Sequence, residues 1–121
     1  MSINKTYAVL GLGRYGRAVA KELAENGAEV LAIDMNEDIV NSAITNIPFC
    51  KCADFTNVEV IEQLGIKNID VAIIATASNL EASVMATLLC KEAGVGMVIA
   101  KCADEMQQKI LRKVGDRKSV V

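Results

Sequence analysis

The stretch Tyr7-Ala8-Val9-Leu10-Gly11-Leu12-Gly13-Arg14-Tyr15-Gly16 carries the reading of the fold. An apolar run of strand character enters G-x-G-x-x-G. The sequence from Arg14 to Asn26 then has helical periodicity, with Ala18, Val19 and Leu23 on one face, Lys21, Glu22 and Glu25 off it, and Gly27 as the stop. In such a unit the three glycines have separate roles. Gly11 permits the tight turn, Gly13 lets a pyrophosphate approach the backbone, and Gly16 lets helix and strand pack closely. The start of the helix then offers unpaired N–H groups and a partial positive charge to phosphate.

Outward from this unit the same alternation repeats. Further short apolar runs occur at Glu29 to Ile33, Pro48 to Cys52, Asp70 to Ala75 and Met97 to Ala100, and the fourth of the five runs is the most continuously apolar. Helical stretches lie between them. Asn36 or Asp38 can cap one that runs to about Ala43, and Thr56 or Asn57 can cap another with Val60, Ile61 and Leu64 inward. Asn79 can cap a third with Val84, Met85, Leu88 and Leu89 as its apolar stripe, and Asp104 a fourth with Met106, Ile110, Leu111 and Val114 inward. Strand and helix in strict alternation predict an α/β fold, a Rossmann-like doubly wound parallel sheet in the order 3-2-1-4-5. The ligand crevice then opens between strands 1 and 4, and Ser119 to Val121 reads as the start of a sixth strand. Residues 1–121 form one domain, with no linker or repeat to divide them.

A Gly-rich turn alone is also compatible with a structural loop that binds nothing. Here Asp34 ends the second run, 18 residues after Gly16, where a carboxylate can accept from both hydroxyls of an adenosine ribose. It would repel a 2′-phosphate, and Met35-Asn36 supplies no cation to compensate. NADP(H) is therefore disfavoured, while NAD(H), ATP and ADP stay open. Arg14 can aim a guanidinium at phosphate oxygens or remain solvated. Asp54, after Ala53, can accept from an adenine amino group or serve only as a turn acid. Ala75-Thr76-Ala77 leaves room for a cofactor and offers a hydroxyl, and Lys101 either reaches phosphate or is solvated.

Composition narrows the function classes. With 52% apolar residues, 3% aromatic and no Trp, the 121-residue chain must build its core from Ala, Val, Ile and Leu. At this length folding buries about two thirds of the unfolded surface. The formal charge of −2 and pI of about 5.1 give no footprint for nucleic acid. No apolar stretch reaches the roughly 18 residues of a membrane span, and the N-terminus lacks a signal-peptide pattern, so no direct membrane insertion and a cytoplasmic location are expected.

There is no His, and Tyr7 and Tyr15 are followed four residues on by Gly11 and Val19, so the Tyr-x-x-x-Lys pair of short-chain dehydrogenases is missing. No general base is visible, and the chain is expected not to be an enzyme. The alternative is a small NAD(H)-dependent oxidoreductase or the cofactor-binding half of one. The four cysteines, at 50, 52, 90 and 102, show no C-x-x-C and predict free thiols and no metal site. Cys50 and Cys52 read as small buried hydrophobes, and Met85, Met97 and Met106 as core.

The run YAVLGLGRYG at 7–16, with AIDMN at 32–36, KCADFTN at 51–57, IIATASN at 73–79, LGIKNIDVAIIAT at 64–76 and QKILRKVG at 108–115, resembles the RCK N-terminal domain, also called TrkA-N or KTN. That family is found in cytosolic regulatory subunits of the Ktr and Trk bacterial potassium-uptake systems. The resemblance implies a nucleotide that is an effector rather than a reactant. It assigns backbone contact to Gly11, Gly13 and Gly16, phosphate to Arg14, ribose to Asp34 and the adenine edge to Asp54. Thr76 and Lys101 match further lining positions, and Tyr15, Met35, Ala53, Phe55, Ala75 and Ala77 complete the candidate site. It also implies homodimers that assemble into a ring, commonly an octamer, under a membrane-embedded potassium-translocating partner. The family continues into a separate C-terminal ligand-binding domain, whereas this sequence ends at Val121.

Overall fold

The computed structural model describes residues 4–115 and the backbone of 118–120. Six strands and five α-helices alternate: β1 Thr6–Leu10, α1 Arg14–Glu25, β2 Glu29–Asp34, α2 Glu37–Ala43, β3 Cys50–Cys52, α3 Val58–Gln63, β4 Val71–Ile74, α4 Leu80–Glu92, β5 Met97–Lys101, α5 Glu105–Val114 and β6 Lys118–Val120. A short 3-10 turn, Ile66–Asn68, leads into β4. All strands are parallel, in the order β3-β2-β1-β4-β5-β6. The expected five-strand order is present, and β6 extends it on the β5 side. Val121, expected in that strand, lies outside the described residues.

Both faces of the sheet are covered, which is why its strands read as continuous apolar runs rather than alternating ones. Along β1, Tyr7 and Val9 join a cluster with Ala20 and Leu23 of α1 and Ala43 of α2. Ala8 and Leu10 join a second cluster with Ile61 of α3, Ala86 and Cys90 of α4 and Leu111 of α5. Every residue of β4 is buried, in keeping with its place between β1 and β5. Each fully buried Ile or Leu contributes about 1.5–3 kcal/mol, so β4 alone is worth several times a surface ion pair such as Lys21–Glu25 at 3.9 Å.

Several sequence expectations are corrected. On α1 Ala18 is exposed and Ala20 is buried instead. The buried face of α4 is Ala82, Ser83, Ala86, Thr87 and Cys90. Of its predicted stripe, Val84 and Leu89 are partly buried against the core, whereas Met85 and Leu88 are turned outward, 41% and 37% exposed. Small residues let this helix lie close to the sheet, and the larger ones stay on the surface. Met97 and Met106 are likewise exposed rather than core. Cys50 is only partly buried and Cys52 exposed, because β3 is an edge strand of three residues, shorter than the Pro48 to Cys52 run suggested. Asn36 and Asn57 cap α2 and α3 rather than Asp38 and Thr56.

Candidate functional site

The carboxyl ends of the strands form one edge, and the Gly-rich turn sits at its centre. Gly11 has φ +104°, and a Cβ there would approach the Thr76 methyl to 2.7 Å and the Ala75 carbonyl oxygen to 2.9 Å. A Cβ at Gly16 would overlap the Gly11 carbonyl oxygen and touch Ala75. These two glycines are demanded by packing between β1, α1 and the loop after β4. Gly13 is different: its φ of −70° suits any residue, and a Cβ there would have nothing within 4 Å. Space rather than strain is what its missing side chain provides.

The helix that begins at Gly13 is also set apart electrostatically. Asn36, Asn57, Asn79 and Asp104 cap α2, α3, α4 and α5 through side-chain oxygens, and each of these helices has an acid in its first turn. Among the described residues α1 is the one α-helix with neither, and it carries Arg14 at its first position instead. A cation there works against the helix dipole, and the first-turn N–H groups lack a side-chain acceptor. An anion placed over Gly13 would satisfy both.

Asp34 joins this turn to the end of β2. Its Oδ2 accepts from the Leu12 N–H at 2.8 Å and its Oδ1 from the Asn36 N–H at 2.8 Å. The carboxylate is thereby fixed beside the turn. Ala53 is brought alongside by its N–H bond to the Asp34 carbonyl at 3.1 Å. Asp54 follows, its Oδ1 accepting from the Thr56 hydroxyl at 2.6 Å and N–H at 2.9 Å. These bonds hold its carboxyl below the ordinary carboxylate range. Met35 is exposed at the same rim and lines a cavity of about 260 Å³ with Thr56, Asn79, Glu81 and Met85.

Across the turn, Thr76 shares a 2.8 Å hydrogen bond with Ser83, whose hydroxyl also contacts the Thr76 carbonyl at 2.8 Å. The Lys101 Nζ lies 5.7 Å from the centre of the Tyr15 ring. Ala77 lies half-buried in the loop after β4. The Phe55 ring does not line the crevice: at 2% exposure it belongs to the core beneath α3, so any role at the site falls to its backbone. Two contributors escaped the sequence reading. The Leu12 amide carries no side-chain signal, and Ser83 lies hidden in an apolar helix, its pairing with Thr76 set by the loop path.

The sheet, its crossovers and the open, uncapped glycine turn define a Rossmann-like domain, with Gly13, Arg14, Asp34 and Asp54 brought to one edge of the sheet. The chain belongs to the TrkA-N domain family, whose model matches residues 7–121.

It is 42% identical over 112 residues to the Ktr system potassium uptake protein A of Vibrio alginolyticus, covering 93% of this chain and 51% of that protein. It is 38% identical over 113 residues to the Ktr system potassium uptake protein C of Bacillus subtilis, with the same coverage of 93% and 51%. The chain thus spans about half the length of these relatives. Among solved structures, the GsuK channel bound to NAD matches with a TM-score of 0.83 at 14% identity, over 96% of this chain and 21% of that one. GsuK bound to ADP matches with a TM-score of 0.78 at 13% identity, over 99% and 32%. At such identities these two comparisons establish the shared fold.

Proposed function

We propose that this chain is a cytosolic regulatory domain of a potassium-transport system, one that binds an adenine nucleotide as an effector and is not an enzyme. The observation that carries the nucleotide reading is Gly13, open on its Cβ side at an uncapped helix N-terminus with the Asp34 carboxylate fixed beside it. The Ktr relatives support the transport role, and the GsuK complexes with NAD and with ADP support the ligand class. The chain contains no His, so no imidazole is available for proton transfer.

The proposed mechanism is a shift between assembly states. A ligand gates an assembly only by binding one of its conformations better than another. Arg14, Asp34 and Asp54 sit on different turns of one edge, so a ligand bridging them links the relative positions of α1, α2 and α3. The proposed assembly is a homodimer that builds a ring, octameric in the family pattern, beneath a membrane-embedded potassium-translocating subunit. No helix among the described residues is long and apolar enough to cross a membrane. The outer face of α4 supports self-association: Leu80, Val84, Met85 and Leu88 line an apolar groove of about 390 Å³.

The deciding experiment is a thermal-shift panel with NAD, NADH, NADPH, ATP and ADP at matched concentrations. A ligand at 100 times its Kd stabilises by about 2.7 kcal/mol, on the order of ten degrees for a domain of this size. ATP, ADP or NAD(H) are expected to raise the Tm and NADPH to leave it in place. No shift with any of them at millimolar concentration would overturn the reading.

A further inference from the structure

At the other edge of the sheet, where the strands begin, a groove of about 420 Å³ lies beside β2 and β3. Thr6 and Glu29, the first residues of β1 and β2, line it with Leu31, Phe49, Lys51 and Ile69. Leu31 and Ile69 pack against the core beneath. Phe49, at 66%, is the one exposed aromatic ring among the described residues, and aromatic rings are enriched at interfaces. The strand register puts three of these residues in a line. Glu29 and Leu31 lie two residues apart on β2. Phe49 stands beside them, its carbonyl accepting from the Ala32 N–H at 2.8 Å, and Lys51 pairs with Ile33. Cys50 packs into the opposite face, so by strand alternation Phe49 and Lys51 share the face of Leu31 and Glu29. Glu29, Phe49 and Lys51 therefore follow one another at intervals of about 7–8 Å, as acid, ring and base. Both charges are exposed, and neither has an ion-pair partner among the described residues.

We infer that this acid–ring–base line is a self-complementary contact, through which two copies of the chain pair face to face with strands antiparallel, at a surface separate from α4. Reversed, the line reads base, ring, acid. A two-fold axis at Phe49 therefore sets Glu29 of each copy against Lys51 of the partner subunit and brings the two rings together over the grooves. Each charge left unpaired in one chain finds its opposite in the other. Edge-to-edge pairing of β3 is disfavoured: the strand has three residues with Lys51 at its centre, and two copies aligned there would bring their ammonium groups together. With one aromatic anchor and two ion pairs at the rim, the contact belongs to the small, transient class. It is expected to fill at about 100 µM and above, so at micromolar concentration it stays open and leaves association through the outer face of α4 undisturbed. Two different two-fold contacts on one chain link copies into assemblies larger than a dimer.

The test is sedimentation of the 121-residue chain over a range from about 10 µM to about 1 mM. A step to a larger species is expected toward the upper end, weakened by added salt because the ion pairs lie at an exposed rim. Glu29→Lys alone and Lys51→Glu alone each set like charges against each other, and each should weaken the step at least about tenfold. Mixed in equal amounts, these two variants should associate with each other, and both changes in one chain should restore self-association. Phe49→Ser should weaken the step about tenfold with no rescue by either charge variant. All three positions are exposed, and a chain that had lost its fold would not be rescued by mixing. Association through α4 involves neither Glu29 nor Lys51 and does not follow this pattern. Absence of the step up to about 1 mM overturns the self-contact and leaves the groove to a different partner. A step untouched by the single charge changes, or one that mixing fails to restore, overturns the pairing as well.

Discussion

Two glycines within a single turn of chain differ in what a side chain would meet. A methyl group at Gly16 collides with the Gly11 carbonyl oxygen, whereas one at Gly13 meets only solvent. Gly16→Ala is therefore expected to cost about 3 kcal/mol of stability, the upper range for overpacking. Gly13→Ala should stay within about 0.5 kcal/mol of the parent yet abolish the nucleotide-induced rise in Tm, because its methyl fills the approach to the backbone. Denaturant unfolding and the ADP thermal shift, run on both variants, check the pair. Equal stability losses, or a Gly13→Ala chain that still responds to ADP, would contradict it. The sequence, through the spacing of its glycines, already suggested the tight turn at Gly11 and the close helix–strand packing at Gly16. It could not foretell that Asp34 is tied to the Leu12 amide, since a backbone donor leaves no mark in residue type. Nor did it place Cys50 at a partly exposed edge, where burial raises its thiol pKa and Arg17 opposes the rise.

At the level of elements, the caps and the ends of strands were the legible parts. Asn79 and Asp104 cap the helices they were assigned to, since short polar side chains at helix starts have few other uses. The inward faces were harder. A reading by bulk picks out Val84, Met85, Leu88 and Leu89 on α4; Val84 and Leu89 do pack against the core in part, but close packing on the sheet selects Ala82, Ala86 and Cys90 and leaves Met85 and Leu88 exposed. The starts of β1 and β4 are joined by a device with a pH signature. The Asp70 carboxylate accepts from the Thr6 N–H at 2.9 Å and hydroxyl at 3.1 Å, and these bonds lower its pKa. A carboxyl depressed by folding stabilises the native state above its ordinary pKa of about 3.9, and that stability is lost as pH falls through the depressed value. Wild-type chain should thus lose Tm on acidification below about pH 4, and Asp70→Asn should flatten that limb. Asp54 titrates in the same direction, so part of the slope remains. An unchanged limb in Asp70→Asn melts from about pH 7 down to about pH 2 would refute the assignment.

For the molecule as a whole, topology was readable because a parallel sheet covered on both faces admits few right-handed windings. The outward turn of Met85 and Leu88 was not readable from periodicity, since the α4 stripe looked like core. Met85 and Leu88 are 41% and 37% exposed, and contiguous apolar surface of this kind marks an interface. Wild-type chain is expected to sediment as a dimer at micromolar concentration, and Met85→Glu with Leu88→Glu as a monomer of nearly unchanged Tm. A monomeric wild type, or a variant that still associates, would remove α4 from the interface.

The two tyrosines give the chain an optical property. With no Trp present, near-ultraviolet absorbance and emission come from Tyr7 and Tyr15 against a weak background of two phenylalanines. Tyr7 is locked in the sheet at 1% exposure and senses only the integrity of the core. Tyr15 stands under the Lys101 ammonium at the rim of the crevice. Loss of the core releases both rings, whereas a ligand entering the proposed crevice would act on Tyr15 and leave Tyr7 in place, so the native chain carries an unlabelled reporter that tells the two events apart.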